Sequence, residues 1–294
     1  MRRGIAQIVI FTSVCLLAGK PSVLAQSPPC PPRSVSAADD NQPSGPEISV
    51  AEVTFSGYLQ MPISDQDQIA ASIKQQTHGS SLDEVTEEAV ERVTAGWENH
   101  GYFKALVSGE WKTLTSSPTS WRIALSFHVD EGLQYTLDQI RFKNNKAIRD
   151  VVALRGLFPI SDGDTFSREK IATGLENLRK AYGNMGYINF TSVPDTKFED
   201  EAKLVSLEID IDEGKQFHIG SFSVLGLDEP TKQDLLKDFP MKHGQVYESG
   251  LYESFMLRHP SIAAPDDPNH TYRQLDERAG TVTITLDARP CPID

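Results

Sequence analysis

Apolar positions in this chain alternate with polar ones, switch to a spacing of three and four, and then alternate again. This cycle runs three times and is clearest in the middle. Tyr135 to Phe142 alternates and predicts a strand. Asn144-Asn145 turns the chain, and Lys146 to Leu157 predicts a short helix with Ile148, Val151, Val152 and Leu154 inward, broken by Pro159 and Gly163. Ser167 is placed to cap a longer helix, on which Ile171, Leu175, Leu178, Tyr182 and Met185 form one buried stripe that ends at Gly186. Ile188 to Val193 and Leu204 to Ile211 predict two more strands, joined by a polar turn around Glu199 to Ala202. The order is strand, helix, helix, strand, strand.

The same order can be read on either side. Upstream, Val50 to Phe55 predicts a strand, Ile69 and Ile73 mark one helix, and Val90, Val93 and Trp97 mark a second that stops before Gly101. Phe103 to Trp111 and Trp121 to Val129 then predict a hairpin. Downstream, Phe217 to Val224 predicts a strand, Leu235, Leu236 and Phe239 a short helix, and Leu251, Phe255 and Met256 a second helix that stops at Pro260. Thr271 to Leu275 and Thr281 to Leu286 close the last hairpin.

The cycles also share residues. Asp130-Glu131-Gly132 returns as Asp212-Glu213-Gly214, with Gln134 returning as Gln216. Gly101-Tyr102 returns as Gly186-Tyr187, and Gly163-Asp164-Thr165-Phe166 as Gly244-Gln245-Val246-Tyr247. The expectation is an α+β chain of three tandem units, at 47–132, 133–214 and a divergent 215–290. Each is a three-stranded mixed sheet under two helices, with no linker between units.

Composition alters the picture at the ends. Residues 1–25 have a basic start at Arg2 and Arg3, an apolar run from Ile8 to Ala18, and Val23-Leu24-Ala25, the pattern of a cleaved secretory signal. Residues 26–46, rich in Pro, Ser, Asp and Gln, predict a flexible leader. Loss of 1–25 removes three basic residues and no acid, taking the formal charge from −13 to −16. Such a chain repels phosphate backbones, so no nucleic acid is expected as a partner. Cys30 and Cys291 remain, and the sequence leaves open an internal disulfide or free or intermolecular thiols.

Units of this order and size, with Gly163-Asp164-Thr165-Phe166 before the second helix, Tyr182-Gly183-Asn184-Met185-Gly186-Tyr187 after it and Asp212-Glu213-Gly214 at the end, resemble POTRA domains. These are the periplasmic modules of outer-membrane barrel-assembly and secretion factors, the BamA and TamA family, here without the membrane barrel. The resemblance is close in the middle unit and weak in the third. It implies a periplasmic binding or scaffold protein, exported and associated with the outer membrane. Its partners would be an outer-membrane barrel protein, an unfolded outer-membrane client or accessory lipoproteins. It also implies that the strand after each second helix lies on a sheet edge open to strand addition. The candidate binding residues are Ile188, Asn189, Phe190, Thr191, Ser192 and Val193, then Phe103, Lys104, Ala105, Leu106 and Val107. Pro194 is expected to end the middle edge. An envelope-bridging or oligomerising array without a client, or the front half of a longer barrel transporter, remain alternatives.

Chemistry finds no foothold. Neighbouring acids such as Asp130-Glu131 and Asp212-Glu213 point to opposite faces of a strand and are expected in solvated turns. The His residues lack metal-ligand spacing, and no nucleophile motif occurs, so no catalysis, metal or cofactor is expected. Trp97 is expected in the core, with one of Trp111 and Trp121 exposed on the first hairpin.

Overall fold

The alternating segments form three separate sheets in a computed structural model that describes residues 46–76, 78–79, 81–260 and 271–289. The first unit runs β1 (Glu47–Ser56), α1 (Ile63–Gln76), β2 (His78–Gly79), α2 (Leu82–Asn99), β3 (Leu106–Ser116) and β4 (Ser120–Asp130). The second runs β5 (Thr136–Lys143), α3 (Val151–Arg155), α4 (Arg168–Gly183), β6 (Thr191–Glu199) and β7 (Leu204–Asp212). The third runs β8 (His218–Leu225), α5 (Glu229–Asp238), α6 (Ser249–Arg258), β9 (Thr271–Asp276) and β10 (Thr281–Asp287).

In each unit the last strand is central. It pairs parallel with the first strand and antiparallel with its hairpin mate, giving the orders β1-β4-β3, β5-β7-β6 and β8-β10-β9. The first sheet has the two-residue β2 in addition, outside β1. Alternate residues of the central strands are buried: Ile123, Leu125, Phe127 and Val129 on β4, Val205, Leu207, Ile209 and Ile211 on β7, and Val282, Ile284 and Leu286 on β10. Each row anchors its own hydrophobic core, so the units do not merge into one globule.

Helix starts follow the caps. Ser81 accepts a hydrogen bond from the Glu84 amide and Ser167 one from the Lys170 amide. The first helix of the second unit is shorter than its periodicity suggests. Asp150 caps it at Val152 and Ala153, while Ala147 upstream is held by its amide to Glu213, so only Val151–Arg155 is helical. Asn144 turns the chain at a φ of +63°, as its residue type allows.

Candidate functional site: sheet edges and unit junctions

A three-stranded sheet has two edges, and this chain closes one of them in every unit. In the second unit the segment before α4 lies along β5. The Leu137 amide donates to the Asp164 carbonyl, Gly163 to Leu137, and Phe166 to Tyr135, at 2.9, 2.6 and 3.0 Å. The third unit repeats this along β8, with Ile219 donating to Gln245, Gly244 to Ile219 and Tyr247 to Phe217. In the first unit β2 takes the same place. The Gly-Asp-Thr-Phe motif is therefore an edge cover. Among the described residues the opposite edges, β3, β6 and β9, have no covering strand.

Only part of the expected binding set lies on these edges. Leu106 and Val107 are on β3, and Thr191, Ser192 and Val193 are on β6. Phe103, Lys104, Ala105, Ile188, Asn189 and Phe190 lie before the strands; Phe103, Lys104, Ile188 and Asn189 contact the next unit, while Ala105 and Phe190 pack into the cores of their own units. Pro194 does not end β6 either. The ladder runs through it in unbroken register, with Pro194 opposite Ile209, to Glu199. Proline has no amide to give β7, so an intact ladder turns its nitrogen to the open side.

The displaced residues build the first junction. Phe103 sits edge-on to Phe166 and against Phe198, at ring distances of 5.2 and 5.4 Å. Lys104 Nζ lies 2.7 Å from Asp200 Oδ1, which also accepts from the Tyr135 hydroxyl at 2.7 Å. The Asp200 carboxyl is held below the usual carboxylate range by these two donors, Lys104 first. The Lys104 ammonium is held above its own range, mainly by the same bond. Asn99, the last residue of α2, accepts from the Glu169 amide in the first turn of α4. Asn184, the residue after α4, accepts likewise from the Gly250 amide of α6. Each second helix thus supplies a side-chain acceptor to the free amides that open the next. The backbones also join, Tyr135 donating to the Gly101 carbonyl and Phe217 to the Gly186 carbonyl. At the second junction Asn189 donates to Glu277 at 2.6 Å, a neutral group where the first has Lys104.

The Asp-Glu-Gly motif differs from its expected role. Asp130 and Asp212 do make turns, accepting from the amides of Gly132 and Gly214, both at a φ of +66°. The glutamates point inward. Glu131 is 2% exposed and accepts from the Gln60 and Met61 amides and from Trp97 Nε1, at 2.6, 3.2 and 2.9 Å. Glu213 accepts from the Ala147 amide and the Tyr182 hydroxyl, at 2.7 and 3.1 Å. Burial first, then the Glu213 carboxylate, pushes the Tyr182 hydroxyl well above its usual range. Each glutamate ties the unit's last strand to the loop after its first strand and to its second helix. The motif is a latch, not a solvated turn, because opposite faces of a strand end here in opposite environments.

Trp97 is fully buried, Trp121 packs on the first core, and Trp111 is 44% exposed on β3, as the one exposed hairpin tryptophan. Among the described residues no group of three or more His, Cys, Asp or Glu is placed to hold a metal ion. No described helix is long and apolar enough to cross a membrane. The signal segment, residues 26–45 of the leader, Cys30 and Cys291 lie outside the described residues.

Comparison with known proteins agrees with this architecture. Residues 135–214 match the family model of POTRA, the surface antigen variable number repeat. BamA, the outer membrane protein assembly factor of Neisseria meningitidis, is 26% identical over 137 residues, covering 43% of this chain and 17% of that protein. A Treponema pallidum protein is 23% identical over 198 residues, covering 64% of this chain and 23% of its own length. The chain thus spans about a fifth of the length of these curated relatives. POTRA domains 3–5 of Haemophilus influenzae BamA superpose with a TM-score of 0.60 at 18% identity, covering 83% of this chain and 97% of that structure. The fold is that of a POTRA array, and the described strands form three open sheets and no barrel.

Proposed function

We propose that this chain is a periplasmic binding and scaffold module of outer-membrane protein assembly, reached through a cleaved signal peptide. In this reading it holds extended segments of unfolded clients, or of a barrel partner, by adding them as a strand to its open sheet edges. One observation carries the reading: every unit covers the outer edge of its first strand with its own backbone, and among the described residues the edge after its second helix is uncovered. An uncovered edge is a liability that proteins normally blunt, so the same edge left uncovered three times supports a use. Main-chain bonding makes little demand on the client's side chains and suits varied sequences. Of the three edges β3 is the strongest candidate, being eleven residues long and free of proline. The four junction residues Phe103, Lys104, Ile188 and Asn189 would act by setting the angle between units, and Ala105 and Phe190 by fixing the segment that leads into each edge strand.

Photo-crosslinking side chains at Ser108 and Thr113 on β3, and at Ser192 and Val193 on β6, test this in an envelope extract. The expected result is capture of outer-membrane clients or a barrel subunit at these positions, most at β3. Capture at Glu87 and Glu91 on α2 with none at the edges would refute it.

A further inference from the structure

We infer that β3 also pairs antiparallel with β3 of a second copy of this chain, in one register centred on Trp111. The repeat fixes which backbone groups of β3 face outward. Gly109 lies opposite Phe127, and Pro194 of β6 lies opposite Ile209, while Phe127 and Ile209 each stand beside the equivalent Phe55 and Phe142. Gly109 therefore shares the outward-facing backbone of Pro194 but keeps its amide. By the two-residue period of a strand, Trp111 and Thr113 face outward too. Two such strands run antiparallel can exchange both hydrogen bonds at Trp111, and bond Gly109 to Thr113 on either side.

Charge selects the register. On the solvent face β3 carries Glu110 and Lys112, both exposed, and neither has an ion-pair partner among the described residues. Centring the two-fold on Trp111 sets Glu110 of each copy directly opposite Lys112 of the other, in the closely spaced kind of strand pair. Centring it on Glu110 or Lys112 would set like charges face to face. A one-residue slip would match outward with inward backbone groups. Trp111 is also the midpoint of Leu106–Ser116, so this register overlaps the two strands over their full length. The contact is isologous and closes on itself, giving a dimer rather than a fibre. The ladder irregularity between Thr113 and Thr115 weakens its two ends and keeps the association reversible. The inference needs only the uncovered edge and does not depend on client binding.

Sedimentation velocity of the whole chain over a concentration series tests it, with circular dichroism to verify folding of each variant. The wild type should shift from monomer toward dimer as concentration rises. Glu110→Lys and Lys112→Glu should each weaken association at least tenfold. An equimolar mixture of these two variants should recover it, because each then faces the opposite charge, and so should E110K/K112E in one chain. The inference is overturned if the wild type stays monomeric at all concentrations, if the single variants associate as the wild type does, or if the mixture associates no better than its components. Client capture at Ser108 by the monomeric variants is a separate readout, so failure here and failure of the client reading can be told apart.

Discussion

The first two units are built from the same elements in the same order, yet they treat their equivalent edges and latches differently. Beside Phe127 on β4 the edge residue is Gly109, and beside Ile209 on β7 it is Pro194. The glycine preserves an outward amide and leaves room for α2. A Cβ on Gly109 would come within 2.9 Å of Val90 Cγ2 and 3.0 Å of the Phe127 ring. The proline removes an outward amide from the middle of a nine-residue strand. Up to the irregularity after Thr113, β3 thus offers a continuous row of donors and acceptors, and β6 one interrupted at Pro194. The latches differ in the same sense, Glu131 serving three donors in the first unit and Glu213 two in the second. One scaffold can therefore carry an edge that keeps its outward amides and an edge that proline interrupts.

The largest effect should come from the latches. Glu131→Ala strands the Gln60 and Met61 amides and the Trp97 indole N–H in a buried site. It should destabilise the first unit by about 3 kcal/mol, since hydrogen bonds to a charged group are worth roughly 1.5–3 kcal/mol each and loosened loops regain some water. Glu213→Ala should cost the second unit about half as much, with fewer donors left unpaired. Urea unfolding followed by amide exchange in each core measures both. Equal losses would erase the distinction between the two latches.

The edges come next. Thr113→Pro puts a proline nitrogen on the open side of β3, as Pro194 does on β6, and should leave β4 pairing and the thermal midpoint nearly unchanged. Capture at Ser108 should drop about fivefold, the equivalent of one net hydrogen bond of about 1 kcal/mol. Pro194→Thr makes the reverse change and should raise capture at Ser192 by a similar factor. If capture at β6 is already as strong as at β3 and does not respond, main-chain donors do not set the preference.

Much of this architecture could be read from residue order, because the apolar periods belong to the local elements themselves. The strand and helix order, the Ser167 cap and the turn glycines follow from spacing, while the strand that lies on each open edge is legible only through the resemblance to POTRA domains. The misplaced features depend on groups distant in sequence. Phe103 and Ile188 look like first residues of strands, being apolar in alternating runs, but they are spent on packing against the neighbouring unit. The inward turn of Glu131 and Glu213 has a signal in hindsight: an aromatic side chain with a donor, Trp97 or Tyr182, four residues before each repeated Gly-Tyr or Gly-Tyr-like corner. Pro194 reads as a strand breaker until one knows that its strand has an empty side. Covering of β5 by Gly163-Asp164-Thr165-Phe166 and of β8 by Gly244-Gln245-Val246-Tyr247 needs long-range hydrogen bonds that no periodicity encodes.

The smallest effect concerns the junctions, where a carboxylate meets a lysine in one case and a neutral asparagine in the other. Asp200 titrates lower in the folded chain than in the unfolded one. Its contribution is therefore complete above the unfolded carboxylate value of about 3.9 and is lost as pH falls through the lower folded value. Lys104 titrates higher when folded, so its contribution is complete below about 10.4 and is lost as pH rises through the folded value. Both groups are well exposed, so the effect is modest and screened by salt. The Tyr135 amide, bonded to the Gly101 carbonyl across this junction, is the reporter. Asp200→Asn should lower its exchange protection by a constant factor from about pH 5 to 9, with the difference from wild type shrinking on the acid side as the wild-type carboxylate itself takes up a proton. At the second junction Asn189→Ala should lower protection of the Phe217 amide without any alkaline loss belonging to that position, since Asn189 has no proton to give up. A difference between Asp200→Asn and wild type that keeps widening in acid would mean that the Lys104 contact does not hold the first junction together.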